Sequence, residues 1–431
     1  MNRVIILLFI VLVLEGYTFF ALRTLTRNTI VHIGYWVVFL SACMLFFYQI
    51  RVTQAEGRFS LQAGYAVALF LAFVLPKLFI FALLFFEDII RFFGTFVNYF
   101  QKDTSIKEAI PSRRKFISQL ALGLAAIPFA SVIYGVFKGR YNFRVIKQQL
   151  VFDDLPEAFD GYTLTQISDI HSGSFDSADK IEYAVNLINE QKSDAILFTG
   201  DMVNAVAEEM YPWIDTFKKL KAKDGMYAVL GNHDYGYYAY NSKEEVYSNH
   251  KKLEEVHKKI GFDLLLNESR PIERNGQRIN ILGVENWGAS RHFPKRGSLR
   301  EATQNIGDNE FNILMSHDPS HFDFEIAEQG RNNDFDHNRI VDEPNIVNFE
   351  KKIQLTLSGH THGMQFGIEI PYFNFKWSPA KYRYPKWAGL YQEAGRYLYI
   401  NRGFGFLAFP GRVGIWPEIT VIQLKRGVNN A

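Results

Sequence analysis

The sequence predicts an α/β domain preceded by an all-α membrane region, and three observations support this division. Apolar residues crowd the first third of the 431-residue chain, whereas charged residues are spread over the rest. After Gly139, short β-like runs alternate with helical stretches, which is typical of an α/β domain with helices outside its sheets. Several of these runs end in Asp, Asn or His. We therefore predict a membrane region over residues 1–139 and an α/β domain over residues 140–431.

The membrane region contains four apolar runs, each long enough to cross a hydrocarbon core of about 30 Å at about 1.5 Å per residue. They are Val4–Leu22, Ile30–Ile50, Gln62–Phe86 and Phe116–Phe137. Buried helices of a large soluble domain are the alternative, but the charged connectors between the runs favour four transmembrane helices. Glu15 and Lys77 lie inside two runs. We expect them to face other helices, to snorkel or to line a polar site.

The orientation of the membrane region depends on one basic cluster, because basic residues at the ends of the runs nearly balance between the two sides. The stretch Ser112-Arg113-Arg114-Lys115-Phe116-Ile117, with the apolar run after it, resembles a twin-arginine export signal. The alternative is a basic flank that anchors an ordinary helix on the cytoplasmic face. Both interpretations place the following domain outside the cytoplasm. We therefore predict a multi-pass protein of the cell membrane with an extracytoplasmic domain.

Composition excludes several classes of site and partner. The single cysteine, Cys43, leaves no intramolecular disulfide and no cysteine-based metal site. A net charge of +2 gives no indication of a nucleic-acid-binding surface. The lipid bilayer is the partner that the apolar runs predict, and the sequence leaves the oligomeric state open.

Five strand-like runs of the α/β domain are each followed directly by metal-ligating types of side chain. Asp169 and His171 follow Leu164–Ile167, Asp201 follows Ala195–Phe198, Asn232, His233 and Asp234 follow Met226–Leu230, His317 follows Asn312–Met315, and His360 and His362 follow Ile353–Leu357. An ordinary turn explains any one of these residues. Together they predict a site for divalent metal ions, because polar side chains past strand ends converge at one edge of a sheet.

The ordered motifs Asp-x-His, Gly-Asp, Gly-Asn-His-Asp, His and Gly-His-x-His resemble those of the calcineurin-like metallophosphoesterase superfamily, over about residues 151–424. With its apolar N-terminus, the chain is most similar to the bacterial membrane-anchored, twin-arginine-type branch. The resemblance implies a four-layer α/β/β/α sandwich. It also implies a metal-dependent phosphoester hydrolase with two divalent ions, for which the Asp, Asn and His ligands suit Mn, Fe or Zn.

The resemblance implies a role for each motif residue. One metal ion would be held by Asp169, His171 and His362, the other by Asn232, His317 and His360, and Asp201 would bridge them. A hydroxide activated by the two ions would attack phosphorus. His233 would protonate the departing oxygen.

The sequence departs from the family pattern at two positions. Asn204 stands where many relatives have an Asp that orients the catalytic His, which puts the strength of acid catalysis by His233 in question. Asp234 is then a second candidate catalytic residue, with a structural hydrogen-bonding role as the alternative. Met364 replaces a Gly after the last motif and would lie at the rim of the site.

Candidate substrate contacts are less specific. Arg402 and Arg412 stand next to glycines and could bind a substrate phosphate as bidentate donors, or pair with acidic neighbours. The aromatic loops 286–295 and 373–391 could stack on a ring, lie on lipid head groups or pack half-buried. The acidic segment Asn332–Glu350 is either a flap over the site or a solvated insertion.

These features predict a membrane-anchored phosphoesterase that hydrolyses phosphodiester or pyrophosphate bonds of lipid-linked or envelope substrates. One alternative is a hydrolase of the UDP-2,3-diacylglucosamine pyrophosphate bond in lipid A synthesis, which would place the domain on the cytoplasmic face. A non-enzymatic metal-binding membrane sensor or scaffold is the other alternative. The complete set of ligand residues disfavours the scaffold.

Overall fold

A computed structural model describes residues 2–56, 59–101, 110–290, 293–327, 351–373 and 375–428. The chain forms two compact units, one of Met1–Phe137 with Ala408–Gly411 and one of Lys138–Leu407 with Arg412–Ala431. The acidic segment Asn332–Glu350, predicted to be a flap or an insertion, lies outside the described residues.

The first unit is helical. Its helices are α1 (Asn2–Leu25), α2 (Thr29–Glu56), α3 (Leu61–Gln101) and α4 (Ile110–Phe137). In the described part of the chain, three segments are long and apolar enough to cross a membrane: Thr29–Ala55, Leu61–Phe96 and Arg113–Phe137. Large apolar side chains such as Phe86 and Phe137 point outward, as helices facing lipid require. A membrane-associated helical region is thus confirmed, and the fourth span, at α1, stays a prediction.

The two charged residues inside the apolar runs face each other. Lys77 on α3 forms an ion pair with Glu15 on α1, and both side chains are buried. The Lys77 ammonium also lies 3.8 Å from the centre of the Phe39 ring of α2. Of the three positions expected for these residues, namely facing other helices, snorkelling or lining a polar site, the structure shows the first. The pairing keeps both charges away from the apolar outer surface of the helices.

The second unit contains two six-stranded sheets. The first has the order β1 (Arg144–Phe152), β14 (Glu418–Arg426), β2 (Thr163–Ile167), β3 (Ala195–Phe198), β4 (Met226–Ala228) and β5 (Asp263–Leu264). The second has the order β12 (Gly389–Glu393), β13 (Arg396–Ile400), β9 (Leu355–Ser358), β8 (Phe311–Met315), β7 (Gln277–Gly283) and β6 (Glu268–Arg274). A separate hairpin pairs β10 (Ile368–Ile370) with β11 (Phe375–Trp377).

Parallel pairing in both sheets brings the carboxyl ends of neighbouring strands together. Strands β2, β3 and β4 run parallel, with Ile167 opposite Phe198 and Phe198 opposite Ala228. Strands β8 and β9 of the second sheet also run parallel, with Met315 opposite Leu357. Because these strands end at matching positions, the residues that follow them meet at one edge of each sheet.

Apolar side chains on both faces of the sheets form the core. A buried cluster joins the facing sides of the two sheets, for example through Leu197 and Ile313. A second cluster packs the first sheet against helices α5 (Ala178–Glu190), α6 (Ile214–Phe217) and α7 (Lys243–Ile260). A third lies on the second sheet and includes residues of α8 (Leu299–Ala302). Mixed α/β sheets are therefore confirmed, and the four-layer description stays a prediction.

Candidate metal centre

All seven residues predicted to bind metal follow the carboxyl ends of five strands: Asp169 and His171 after β2, Asp201 after β3, Asn232 after β4, His317 after β8, and His360 and His362 after β9. Five of them have a left-handed backbone conformation, namely Asp169, His171, Asp201, His360 and His362, with φ between 48° and 71°. Non-glycine residues adopt this conformation at a cost, and such residues cluster at functional sites. The backbone is therefore bent sharply after β2, β3 and β9, where these strands deliver their side chains.

Two glycines permit the close approach of these loops. A Cβ at Gly359, directly before His360, would overlap Ser168 and Asp169. A Cβ at Gly231, directly before Asn232, would overlap Asp201. The glycines of the Gly-His-x-His and Gly-Asn-His-Asp motifs are thus required by the contact of one strand end with the next.

The first group of possible metal ligands is Asp169, His171 and His362, all buried. The Nε2 atom of His362 lies 3.1 Å from Asp169 Oδ1 and 3.0 Å from His171 Nε2. Two imidazole nitrogens and one carboxylate oxygen thus face a common point, as the ligands of a divalent transition metal do.

The second group is Asp201, His317 and His360. The Oδ2 atom of Asp201 lies 3.1 Å from His317 Nε2, and His317 Nε2 lies 3.3 Å from His360 Nδ1. The same Oδ2 atom lies 3.6 Å from His171 Nε2 of the first group. Asp201 therefore stands between the two groups.

Hydrogen bonds fix which ring nitrogen faces the centre. His171 Nδ1 lies 3.2 Å from the carbonyl oxygen of Val203, and His317 Nδ1 lies 2.8 Å from that of Thr199. A carbonyl oxygen only accepts, so each Nδ1 carries a hydrogen and each Nε2 is the ring nitrogen that faces the centre, where it would bind a metal ion. For His360 the arrangement is reversed, because its Nε2 is bonded to the Tyr384 hydroxyl at 2.7 Å and its Nδ1 faces the centre.

Asn232 and His233 complete the edge. Asn232 is buried, its Nδ2 donates to the Tyr238 hydroxyl at 3.0 Å, and its Oδ1 has no hydrogen-bond partner among the described residues. A buried amide oxygen without a partner is costly unless a cation or water satisfies it. The His233 ring is half-buried and lies 5.0 Å from the His171 ring, centre to centre. His233 is thus beside the ligands and partly accessible.

The buried carboxylates of the centre stay ionised and therefore favour a bound positive charge. Burial on its own raises the pKa of Asp201, but the charges of His317 and His233 outweigh burial and hold this pKa well below its usual value. Burial lowers the pKa of His317, yet the Asp201 carboxylate outweighs it and raises this pKa to about 10. Carboxylates that remain ionised in a buried, nitrogen-rich site, together with the unsatisfied Asn232 oxygen, fit divalent cations.

Comparison with known proteins agrees with this geometry. Residues 1–140 match the family model described as a probable calcineurin-like phosphoesterase transmembrane domain. Residues 162–364 match the model of the calcineurin-like phosphoesterase domain. The chain contains a calcineurin-like metallophosphoesterase domain and an N-terminal transmembrane phosphoesterase domain. It is accordingly a membrane-associated, metal-dependent phosphoester hydrolase.

Relatives of this phosphoesterase occur in bacteria and eukaryotes. The uncharacterized metallophosphoesterase YkuE of Bacillus subtilis is 28% identical over 73% of this chain and 98% of its own length. A transmembrane protein with metallophosphoesterase domain from Danio rerio is 26% identical over 80% of this chain and 71% of its own length. YkoQ of Bacillus subtilis, also an uncharacterized metallophosphoesterase, is 26% identical over 71% of this chain and 99% of its own length.

Asp234 of the phosphoesterase domain is fully buried and bonded to the main chain. Its two carboxylate oxygens accept hydrogen bonds from the backbone N–H groups of Asp201, Met202, Val203 and Gly231, at 2.8–3.3 Å. These bonds hold the loop after β3 against the loop after β4. The structure therefore favours the structural role of Asp234 over the catalytic role also predicted for it.

Both predicted phosphate-binding arginines are bonded to protein groups. Arg402 forms ion pairs with Glu418 at 2.5 Å and Glu369 at 2.8 Å. Arg412 is completely buried and donates to the carbonyl oxygens of Arg402 and Gly405, and its Nη2 lies 3.2 Å from His362 Nδ1. These contacts fit the second of the two predicted roles, pairing with protein groups, rather than binding of a substrate phosphate. Arg412 packs behind His362, a predicted metal ligand, and does not face the open side of the site.

Two residues beside the centre were not predicted as site residues. The Tyr384 hydroxyl bonds His360 Nε2 and lies 3.4 Å from Asp318 Oδ2. A chain from imidazole to phenol to carboxylate orients His360. For Asp318, its position directly after His317 was the sequence signal that could have indicated a place in the site. Tyr384 lies in the aromatic loop 373–391, and nothing in the sequence distinguishes it from the other aromatic residues there.

Met364 and the two aromatic loops were predicted to lie at the rim of the site or to contact the substrate. Met364 has an exposed side chain, as a rim position requires. From the first aromatic loop, the Phe293 ring packs edge-on against His360 with 4.9 Å between ring centres. In the second loop Tyr382 is exposed, and its contact with a substrate ring or lipid head groups stays a prediction.

Proposed function

We propose that this phosphoesterase hydrolyses phosphodiester or pyrophosphate bonds with two divalent cations, and that its substrates are lipid-linked or envelope molecules. The observation that carries the proposal is the position of Asp201, whose Oδ2 lies 3.6 Å from His171 Nε2 in one ligand group and 3.1 Å from His317 Nε2 in the other. An oxygen placed between two ligand groups suits a carboxylate shared by two ions. The membrane association of the chain supports substrates within or next to a bilayer.

In this proposal the ligand groups keep the roles implied by the family resemblance: Asp169, His171 and His362 for one ion, Asn232, His317 and His360 for the other, and Asp201 for both. Two such cations, when bound, activate a water for in-line attack and neutralise charge on the phosphoryl oxygens. The donor types suit Mn, Fe or Zn. The hydrogen bonds to Val203, Thr199 and Tyr384 hold the imidazole rings in the tautomers that this role needs.

His233 is the proposed general acid. Its Nδ1 donates to the carbonyl oxygen of Asn204 at 2.6 Å, and its backbone N–H donates to Asp201 Oδ1 at 2.8 Å. These two bonds fix the ring and leave Nε2 to give a proton to the departing oxygen. The partial exposure of His233 allows a substrate to reach it.

The proposal also covers the arrangement of the whole chain. It takes α1 as a fourth span, because the run Val4–Leu22 within this 24-residue helix contains a single charged residue, Glu15. It takes the sheets and their flanking helices as four layers, α/β/β/α. Finally, it places the phosphoesterase domain outside the cytoplasm, because the basic cluster beginning at Arg113 precedes the last span.

The test uses the full chain in detergent, stripped of metal and then supplied with Mn, Zn or Fe. Hydrolysis of bis(p-nitrophenyl) phosphate is measured together with the number of ions bound per chain. We expect turnover that requires metal and two ions per chain. His360→Ala should lose one ion and turnover, His233→Ala should lose turnover and keep both ions, and His32→Ala in α2 serves as the matched control.

Each outcome decides a different part of the proposal. Turnover that His233→Ala leaves unchanged would remove this residue as the general acid. One ion per wild-type chain would contradict the dinuclear centre. Two bound ions without turnover on this diester would contradict general diesterase activity.

A further inference from the structure

We infer that a tyrosine-lined cleft beside His233 binds the leaving group of the substrate, and that this group is nucleotide-like, with a planar aromatic ring next to an anionic phosphate. This inference rests on the proposed hydrolytic function and specifies its substrate class. The cleft has a volume of about 480 Å³, within the range of about 300–1,000 Å³ that is typical of small-molecule sites. It lies entirely within the second unit, between the segment after β4 and the loop that contains Arg296.

The cleft is next to the catalytic edge in both sequence and space. Tyr235 and Tyr237 line it and lie between His233 and Tyr238 in the sequence. The Tyr238 ring lies 4.4 Å from the His233 ring, centre to centre, and its hydroxyl accepts a hydrogen bond from Asn232. A leaving group that receives its proton from His233 therefore extends towards the cleft.

The wall of the cleft is a stack of nearly parallel rings. Tyr235 stacks with Tyr237 at 5.9 Å and 13° between ring planes, and with His250 at 6.1 Å and 11°. Tyr247 at the mouth has 64% of its surface exposed. Planar aromatic rings bind such platforms by offset stacking, and nucleobases do so without requiring one particular sequence of bases.

The charges around the cleft select an anionic ligand. Arg296 and Lys243 line it, and no carboxylate is among the described lining residues. The Arg296 guanidinium lies 5.0 Å from the centre of the Tyr235 ring, although it is also 4.0 Å from Glu285. Lys243 begins the 18-residue helix α7, whose first turn carries Glu244 and Glu245, so these glutamates offset the helix dipole and the positive charge of the cleft comes from Arg296 and Lys243 themselves. Aliphatic lipid tails or uncharged sugars would leave these charges unmatched.

The experiment measures binding by calorimetry to the full metal-loaded chain in detergent. The probe is the methylenephosphonate analogue of adenosine 5′-monophosphate, which is not hydrolysed, and the comparator is the same ribose phosphonate without the base. We expect the adenosine compound to bind at least tenfold more tightly. Tyr247→Ala should weaken the adenosine compound at least fivefold and leave the comparator unchanged, whereas Arg296→Gln should weaken both.

Tyr183→Ala is the matched control, because Tyr183 is a tyrosine on α5 with 57% of its surface exposed, similar to Tyr247, and does not line the cleft. Equal binding of the two probes by the wild type would overturn the inference. So would unchanged binding of the adenosine compound by both Tyr247→Ala and Tyr237→Ala. Hydrolysis of bis(p-nitrophenyl) phosphate by the same samples separates the two proposals. Hydrolysis without base-dependent binding overturns the cleft alone. Base-dependent binding without hydrolysis of this diester overturns general diesterase activity alone.

Discussion

His233 donates its Nδ1 hydrogen to the backbone carbonyl oxygen of Asn204, over 2.6 Å. The Asn204 side chain is bonded instead to the hydroxyl of Ser174. The orientation of the imidazole ring therefore comes from the main chain at position 204. A carboxylate side chain at this position is not needed to hold the ring, so the departure from the family pattern leaves the position of the proposed general acid intact.

We expect Asn204→Ala to retain most of the turnover of the wild type on bis(p-nitrophenyl) phosphate, because the carbonyl oxygen that orients His233 is kept. His233→Ala should reduce kcat by about 10²–10⁴-fold, the usual contribution of a general acid. Steady-state kinetics with the metal content measured for each sample gives the comparison. A loss for Asn204→Ala as large as that for His233→Ala would show that the side chain, not the main chain, supports the acid.

Tyr384→Phe tests the hydrogen-bonded chain behind His360. Removing the hydroxyl breaks the 2.7 Å bond to His360 Nε2 and frees the ring to rotate. We expect metal affinity at one of the two ions to fall by about 10–100-fold, as is usual for loss of a partner of a metal-binding histidine. Competition with a chelator measures the affinity. The exposed neighbour Tyr382 supplies the control, Tyr382→Phe, and equal affinities in both variants would contradict the orienting role.

The strand ends and their ligands could be predicted from sequence because each signal is local. A short apolar run followed by Gly-Asp or Gly-His-x-His places its own side chains, and the parallel pairing of strands brings them together. Tyr384 could not be found this way, because its contact with His360 depends on the path of a long loop. Arg412 shows the same limit: its neighbouring glycine suggested phosphate binding, but tertiary packing buries it behind His362.

Helix α7 was not among the predicted elements, although it has 18 residues. Its sequence is rich in Lys and Glu, and only spaced residues such as Leu253, Val256 and Ile260 face the core. A narrow apolar stripe in a highly charged segment is a weak signal compared with a continuous run. Its N-terminal cap at Ser242, which accepts a hydrogen bond from the backbone N–H of Glu245, was the available local indication.

Asp234→Asn tests the structural role assigned to this carboxylate. The amide nitrogen of Asn cannot accept the hydrogen bonds that one of the two oxygens of Asp234 receives, so backbone N–H groups near Asp201 or Met202 lose their acceptor. We expect the free energy of unfolding to fall by about 1–3 kcal/mol for each buried group left unsatisfied. Urea unfolding followed by fluorescence measures it, with Asp215→Asn on the exposed surface as the control. Full stability with lost turnover would instead support a catalytic role.

We expect His257 on α7 to make the stability of the phosphoesterase domain dependent on pH. It is fully buried next to Phe198 and Phe262, and burial lowers its pKa to about 3. An exposed histidine in the unfolded chain has a pKa of about 6.5, so between these values the unfolded chain binds a proton that the folded chain excludes. Stability should therefore fall as the pH decreases from about 6.5 towards about 3, by about 1.4 kcal/mol per pH unit.

The measurement is urea unfolding of metal-stripped protein at pH 7 and pH 5, because removal of metal separates this effect from proton competition at the ligands. The variant His257→Leu lacks the titrating group and should lose less stability on acidification than the wild type. Parallel pH profiles for the two proteins would exclude His257 as the cause.

We expect the helical unit to lose more stability when one partner of the ion pair between Lys77 and Glu15 is removed than the energy of the pair itself accounts for, because the remaining charge stays buried. Either Lys77→Met or Glu15→Leu leaves one buried charge without its partner, which we expect to cost about 3–5 kcal/mol. The double variant removes both charges, so its loss of stability should be smaller than the sum of the two single losses. Unfolding by sodium dodecyl sulfate of the protein in mild detergent micelles measures all three, with Arg23→Gln at the exposed end of α1 as the control. Additive losses would show that the two residues act independently and that the contact between α1 and α3 does not depend on their charges.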